Sequence, residues 1–390
     1  MQIDLHGPHR RSQLGELFGF FLRLGLTAFG GPAAHIALME REAVERRGWV
    51  SRERFLDLVG GCNLLPGPSS TQVAMALGYT RAGWVGLLIA GICFILPASL
   101  AVLALAWGYV RYGGLPQVQG LLYGVKPVMV AIVVQAVWRL SRLALRGRGL
   151  ALVGLACFAA VALGAPPFAV LLASGGVTLL VAWWHARRGR THGFVWLPAG
   201  LGGGAGAMGA AGAAGLVGLG PLLLVFLKLG VVVFGSGYVL LAFLKADLVD
   251  RMHWITEAQL LDAITAGQVT PGPLFTTATF LGYLLHGFAG AAVATSAIFL
   301  PSFVMAAAVG ALAGRIRKSK LASAFLDGVN AAAVALMAEV AISLGRATLV
   351  DGWTWALGLM SVVLLVSTRI NATWLILAGA VTGILLHAIA

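Results

Sequence analysis

Charge is scarce in this 390-residue chain: only 11% of its residues are Asp, Glu, Lys or Arg, against about 25% in an average soluble protein. Apolar residues make up 59%, so the chain cannot cover itself with polar surface, and a soluble globule is excluded. Acidic residues are scarcer still, 14 against 27 basic ones. The resulting +13 does not mark a nucleic-acid partner, because the basic residues sit in short loops beside apolar segments, the pattern that orients membrane proteins. Cysteine is nearly absent. Cys62, Cys93 and Cys157 lie inside apolar segments without CxxC spacing, which supports neither a disulfide framework nor a zinc site. No P-loop signature occurs, so energy comes from an ion gradient or the membrane potential rather than from P-loop ATP hydrolysis. Gly204, Gly206 and Gly209 form a dinucleotide-like GxGxxG, but no strand and helix context surrounds them, and the match is chance. Residues 1–15 are polar and Glu16 interrupts the apolar run that a signal peptide needs, so the N-terminus reads as retained. No catalytic cluster or soluble output domain is legible, and no cofactor is expected.

What is present is a chain that contains itself twice. Phe21-Leu22-Arg23-Leu24-Gly25 and Phe29-Gly30-Gly31-Pro32 return as Phe226-Leu227-Lys228-Leu229-Gly230 and Phe234-Gly235-Ser236-Gly237. Trp49, Asp57, Asn63 and Pro66-Gly67-Pro68 return as Trp254, Asp262, Gln268 and Pro271-Gly272-Pro273, all 205 residues on. After one deletion the offset is 204, pairing Pro97 with Pro301, Lys126 with Asn330 and Gln135 with Glu339. Apolar stretches long enough to span, given about 20 residues per crossing, lie at 83–110, 117–138, 166–185, 287–312, 321–342 and 371–389. Shorter or interrupted ones lie at 16–39, 55–80, 150–163, 222–244, 259–285 and 353–368. The first repeat is placed at 14–187 and the second at 221–390; the Gly/Ala-rich connection 188–220 reads either as a small-residue span or as a surface linker.

Loop charge decides how the copies are related. Residues 139–148 hold Arg139, Arg142, Arg146 and Arg148, whereas the equivalent 343–352 holds only Arg346 with Asp351. The neighbouring loops reverse the bias: 111–116 holds Arg111 alone, and 315–320 holds Arg315, Arg317, Lys318 and Lys320. Basic loops stay in the cytoplasm, so the expected fold is an all-α polytopic membrane protein of two inverted-topology repeats. The loop 40–54, with five arginines, is inside. Arg81 should be inside as well, so 55–80 enters and leaves on one face, a re-entrant hairpin folded at Pro66-Gly67-Pro68.

The chemistry is expected at the Pro-Gly-Pro turns. A helix that starts just after proline in mid-membrane leaves its first N–H groups unpaired at the positive end of the helix dipole, and such an end attracts anions. Ser69, Ser70, Thr71 and Gln72 follow the first turn; Thr276, Thr277 and Thr279 follow the second. Their hydroxyls and N–H groups can replace the hydration shell of a small oxyanion. The competing reading is that the prolines merely kink a helix and the hydroxyls bond back to the backbone. Gly30, Gly31, Gly235 and Ser236 mark a second pair of helix breaks, for which close helix packing is the alternative.

Charges inside apolar segments cost at least about 2.5–3.5 kcal/mol each. Arg23 and Lys228 recur at one position, which suits an anion, though snorkelling to the interface explains them too. Lys126 and Glu339 break the repeat symmetry and read as a charge pair or as proton-coupling groups. Glu339 is the carboxylate expected to lie deepest. Asp57 and Asp262, near the entrance of each hairpin, are coupling groups or helix caps; Asn63 and Gln268 flank the turns. Pro97 and Pro301 are expected to kink their spans. His35, His253 and His286 receive no role.

At these residues the chain resembles the chromate ion transporter family, whose long members carry two chromate-transporter domains. Phe29-Gly30-Gly31-Pro32, Trp49 and Pro66-Gly67-Pro68 are similar to its N-terminal motifs, and their partners at 234–237, Trp254 and Pro271-Gly272-Pro273 to its second domain. The second copy departs from the pattern at Ser236 and Gly237. The resemblance implies an inner-membrane protein that exports chromate, coupled to the proton-motive force, and confers chromate resistance. Sulfate, close to chromate in shape and charge, is the expected competitor, and a sulfate-like importer or exchanger is the alternative function. A membrane enzyme or sensor is a third reading. Oligomeric state, a homodimer included, stays open.

Cysteine labelling of single-cysteine variants in 139–148 and 343–352 should place these two loops on opposite faces of the membrane. Labelling from one face would sink the inverted arrangement.

Overall fold

The computed structural model describes residues 8–29, 31–188, 218–234, 237, 239–316, 320–368, 370 and 372–389. Among these no strand occurs. The first copy supplies α1 Pro8–Thr27, α2 Gly31–Glu40, α3 Arg52–Asn63, α4 Ser69–Tyr112, α5 Pro116–Ala144, α6 Arg148–Ala162 and α7 Pro167–Arg188. The second supplies their counterparts in the same order: α8 Leu219–Val232, α9 Val239–Leu244, α10 Glu257–Val269, α11 Thr277–Ile316, α12 Lys320–Thr348, α13 Gly352–Ser367 and α14 Ala372–Ile389. Among the described residues, five helical stretches are long and apolar enough to cross a membrane: Ser69–Tyr112, Pro116–Ala144, Pro167–Trp184, Leu274–Gly310 and Ser323–Thr348. They coincide with five of the six long apolar stretches in the sequence, and the sixth, 371–389, contains α14. Most of the connection 188–220, residues 189–217, lies outside the described residues.

Local chemistry sets the boundaries. Ser51 caps α3 by accepting from the Arg54 N–H. Thr256 caps α10 with a full capping box to Gln259. Asp57 and Asp262 are therefore not the caps that the sequence allowed them to be. α4 and α11 are each two helices: the backbone leaves the helical region at Ala82 and Gly83 in one and at His286 and Gly287 in the other. Pro97 and Pro301 lie further along the same helices, inside the second segment of each. The stretch before the first break, Ser69–Arg81, runs for about 20 Å at 1.5 Å per residue, too short for a core about 30 Å thick. Packed against the equally short α3, it forms the hairpin expected for 55–80, with Pro66-Gly67-Pro68 at its tip.

The two copies interlock. α4 packs on α11; α5 packs on α13 and α14, and reciprocally α12 packs on α6 and α7. Such exchange, element i on j′ and j on i′, is the contact pattern of a twofold axis. Small residues let backbones approach. A methyl group on Gly124 of α5 would lie 2.0 Å from the Gly379 carbonyl oxygen of α14, and at the equivalent place Gly328 of α12 lies against Ser174 and Thr178 of α7. On the outer surface, Trp84, Leu88, Ile92, Leu96 and Leu100 of α4 are all exposed. Their four-residue spacing makes one apolar stripe fit to face lipid.

Gly124→Ala should lower the thermal midpoint of the detergent-solubilised protein by several degrees, since forcing a methyl into packed backbone costs about 1–3 kcal/mol. Gly19→Ala, which meets open space, should leave it unmoved. Equal midpoints would show that this approach is not a determinant of stability.

Candidate functional site

The four helix breaks converge. The Gly67 N–H donates to the Val233 carbonyl at 2.6 Å, and the Gly272 N–H donates to the Ala28 carbonyl at 2.9 Å. Gly67 and Gly272 are equivalent, as are Ala28 and Val233, so each Pro-Gly-Pro tip caps the broken helix of the other copy. Only glycine suits the tips. Gly67 has φ 107° and Gly272 φ 102°, a region costly to other residues. A methyl at Gly67 would also stand 2.6 Å from Gln72 Nε2 and 2.9 Å from Ser302 Oγ.

The first tip ends in an open helix N-terminus. Pro68 offers no side-chain cap, and the first intrahelical bond is Gln72 N–H to the Pro68 carbonyl at 2.9 Å. The N–H groups of Ser69, Ser70 and Thr71 are thus the unpaired donors of the helix end. All three residues are buried. Thr71 Oγ1, Gln72 Oε1 and Ser302 Oγ are buried without a hydrogen-bond partner, and Gln72 Nε2 donates to the Pro66 carbonyl. Unpaired N–H groups and hydroxyls are thus held out of water in one place, donors of the kind that a small anion accepts from.

The second tip differs. Thr276 donates its hydroxyl to the Pro273 carbonyl and Thr277 to the Leu274 carbonyl, both at 2.8 Å, and Thr279 pairs with Thr295 at 2.7 Å. Here the hydroxyls bond locally, the alternative reading for such residues. Gln268 Nε2 remains buried without a partner, whereas Asn63, its counterpart, is exposed. Gly31 begins α2 at the break after α1. Gly30, Gly235 and Ser236 lie outside the described residues.

His35, to which the sequence assigned nothing, ties the two tips together. Its Nε2 lies 3.1 Å from the Ala28 carbonyl and its Nδ1 3.4 Å from Ser70 Oγ. A carbonyl only accepts, so Nε2 carries the proton and, in a neutral ring, Nδ1 accepts from Ser70. Ala28 therefore receives both His35 and Gly272, while His35 reaches the helix that the first tip begins. The available signal was a lone histidine just after a helix break, with Leu240 in its place in the second copy.

The charges pair otherwise than expected. Lys126 lies 3.3 Å from Asp262 Oδ1, and Tyr109 donates to Asp262 Oδ2 at 3.0 Å. Oδ1 is within ion-pair reach yet lacks hydrogen-bond alignment. Glu339 lies 3.9 Å from Lys245, which also faces Asp250 at 3.0 Å and Glu257 at 3.5 Å. Lys126 and Glu339 are thus in separate clusters. The deepest of these carboxylates is Asp262, its side chain 3% exposed against 29% for Glu339. Asp57, its counterpart, is half-buried and engaged in an interaction of its own. Arg23 is exposed, and Lys228 is bound to Asp247 at 2.7 Å; neither is at the tips.

The sequence pattern of the family described as chromate transporter matches twice, over residues 15–179 and 220–384. The chain is 34% identical over 373 residues to the chromate transport protein of Cupriavidus metallidurans, covering 94% of this chain and 91% of that one. It is 33% identical over 340 residues to the chromate transport protein of Pseudomonas aeruginosa, covering 85% and 81%. A probable chromate transport protein of Synechococcus elongatus is 32% identical over 363 residues, covering 91% and 90%. No solved structure matches.

Removing one partner of a buried ion pair strands the other, at about 3–5 kcal/mol. Lys126→Met should therefore destabilise more than Lys126→Met combined with Asp262→Leu. A double-mutant cycle on thermal stability checks this; additive losses would show that the two side chains do not interact.

Proposed function

This chain belongs to the chromate transporter family, and on that premise we propose that it is a secondary transporter exporting chromate across the cytoplasmic membrane and so conferring chromate resistance. The observation that carries the reading is the buried, uncapped start of α4 at the first Pro-Gly-Pro tip. Chromate is a tetrahedral dianion. The N–H groups of Ser69, Ser70 and Thr71, with the hydroxyls of Thr71 and Ser302, offer donors that replace its water shell, and the dipole of the helix opposes its charge. No fixed cation has to be stripped away afterwards. Lys126, held by Asp262, stays in reserve: protonation of Asp262 would release its ammonium group, which makes this pair, rather than Glu339, our choice for proton coupling.

Inverted repeats crossing at their breaks support alternating access by rocking one copy against the other around a fixed site. Export is also favoured by energy. One charge moved through 100 mV gains about 2.3 kcal/mol, so a departing dianion gains roughly 4.6 kcal/mol, on the order of a thousandfold gradient. Import of a sulfate-like dianion would need several co-transported cations.

Everted membrane vesicles under an imposed potential should accumulate chromate, with sulfate reducing the flux only weakly. Accumulation of sulfate instead would establish the importer or exchanger reading, and movement of neither anion would sink both.

A further inference from the structure

A cavity of about 430 Å³ opens between α1, α2 and the π-helical turn Arg41–Arg46, apart from the tips. Four arginines line it, Arg23, Arg41, Arg46 and Arg47, against a single carboxylate, Glu42. That carboxylate is already committed: Arg47 Nε holds it at 2.7 Å and Arg46 Nη1 at 3.1 Å. Partial burial alone would raise the Glu42 pKa, yet the Arg47 and Arg46 contacts hold it below its ordinary value, so it stays ionised and spent. Arg47 is fixed further by the faces of Trp49 and Phe20, at 5.2 and 5.8 Å from their centroids. Arg23 and Arg41 have no ion-pair partner among the described residues. A surplus of three positive charges therefore faces a space large enough for a hydrated tetrahedral anion, at about 30 Å³ per water.

The second copy shows that the fold does not require this. Lys228, in the place of Arg23, is closed onto Asp247, in the place of Glu42, at 2.7 Å. Ala246 and Met252 stand where Arg41 and Arg47 do. Arg251 keeps the place of Arg46 and lies 3.9 Å from Asp247, so the surplus of three falls to one there; the larger surplus is on the side that the basic loop 40–54 assigns to the cytoplasm. Its position is also informative. Thr27, in the cavity wall, directly precedes Ala28, whose carbonyl receives the second tip.

We propose that this arginine-lined cavity is a capture site for tetrahedral oxyanion dianions on the loading side of the transporter. The proposal rests on the transport reading above. A cavity of one charge sign concentrates its ligand and raises its association rate by about 10- to 1000-fold, and the two unpaired arginines hold an anion loosely enough to pass it toward the tips. The phosphate of an anionic lipid headgroup has the same chemistry and is the rival occupant.

The test is equilibrium dialysis of chromate against the full-length protein in nanodiscs of zwitterionic lipid. Binding by the wild type should weaken about tenfold in Arg23→Gln and further in Arg23→Gln combined with Arg41→Gln, and should fall with added salt. Glu42→Gln should tighten it, a gain that a misfolded protein would not give. Binding unchanged in the arginine variants would overturn the proposal. So would loss of wild-type binding on adding phosphatidylglycerol, which would make the lipid phosphate the resident. Because the readout is binding, failure of chromate export in vesicles would leave this result standing by itself.

Discussion

Everything in this structure depends on satisfying the backbone at the four helix breaks where the two copies meet. An interrupted helix exposes N–H and C=O groups that lipid cannot bond. The chain solves this by exchange: the Gly67 N–H takes the carbonyl left open at Val233, and the Gly272 N–H takes the one at Ala28. Two hydrogen bonds of this kind fix where the copies cross, which glycines must remain glycines, and where donors are left over. The unpaired donors at Ser69–Thr71 are the remainder of that accounting.

The backbone is symmetric, but the side chains are not. Glu40 pairs with Arg52 in the first copy at 3.3 Å; at the same two positions the second pairs Lys245 with Glu257 at 3.5 Å, with the signs exchanged. The same substitution of role separates Lys126 from Asn330, His35 from Leu240, and the arginine cavity from the closed Lys228–Asp247 pair. Duplication thus supplies the scaffold twice, and divergence leaves each function on one side of it.

Much of this was legible in the sequence because glycine and proline act locally. The repeat, the breaks near Phe29 and Phe234, and the hairpin at Pro66-Gly67-Pro68 all follow from residues that force the backbone. The breaks at Gly83 and Gly287, where φ is positive, were not anticipated, because a lone glycine in an apolar run does not announce a break as a proline does. Pairings between side chains distant in sequence were not legible. Nothing in the order of residues tells Lys126 to meet Asp262 rather than Glu339, and His35 shows its use only once Ala28 and Ser70 are brought beside it.

The reciprocal capping at Gly67 and Gly272 has a consequence for the half-molecule. A single copy has one donor tip and one open carbonyl, and the twofold exchange directs each to the opposite copy, so the smallest unit that is solvated by itself is a pair. The information for assembly therefore resides in the crossing of the two copies, at the paired tips and open carbonyls.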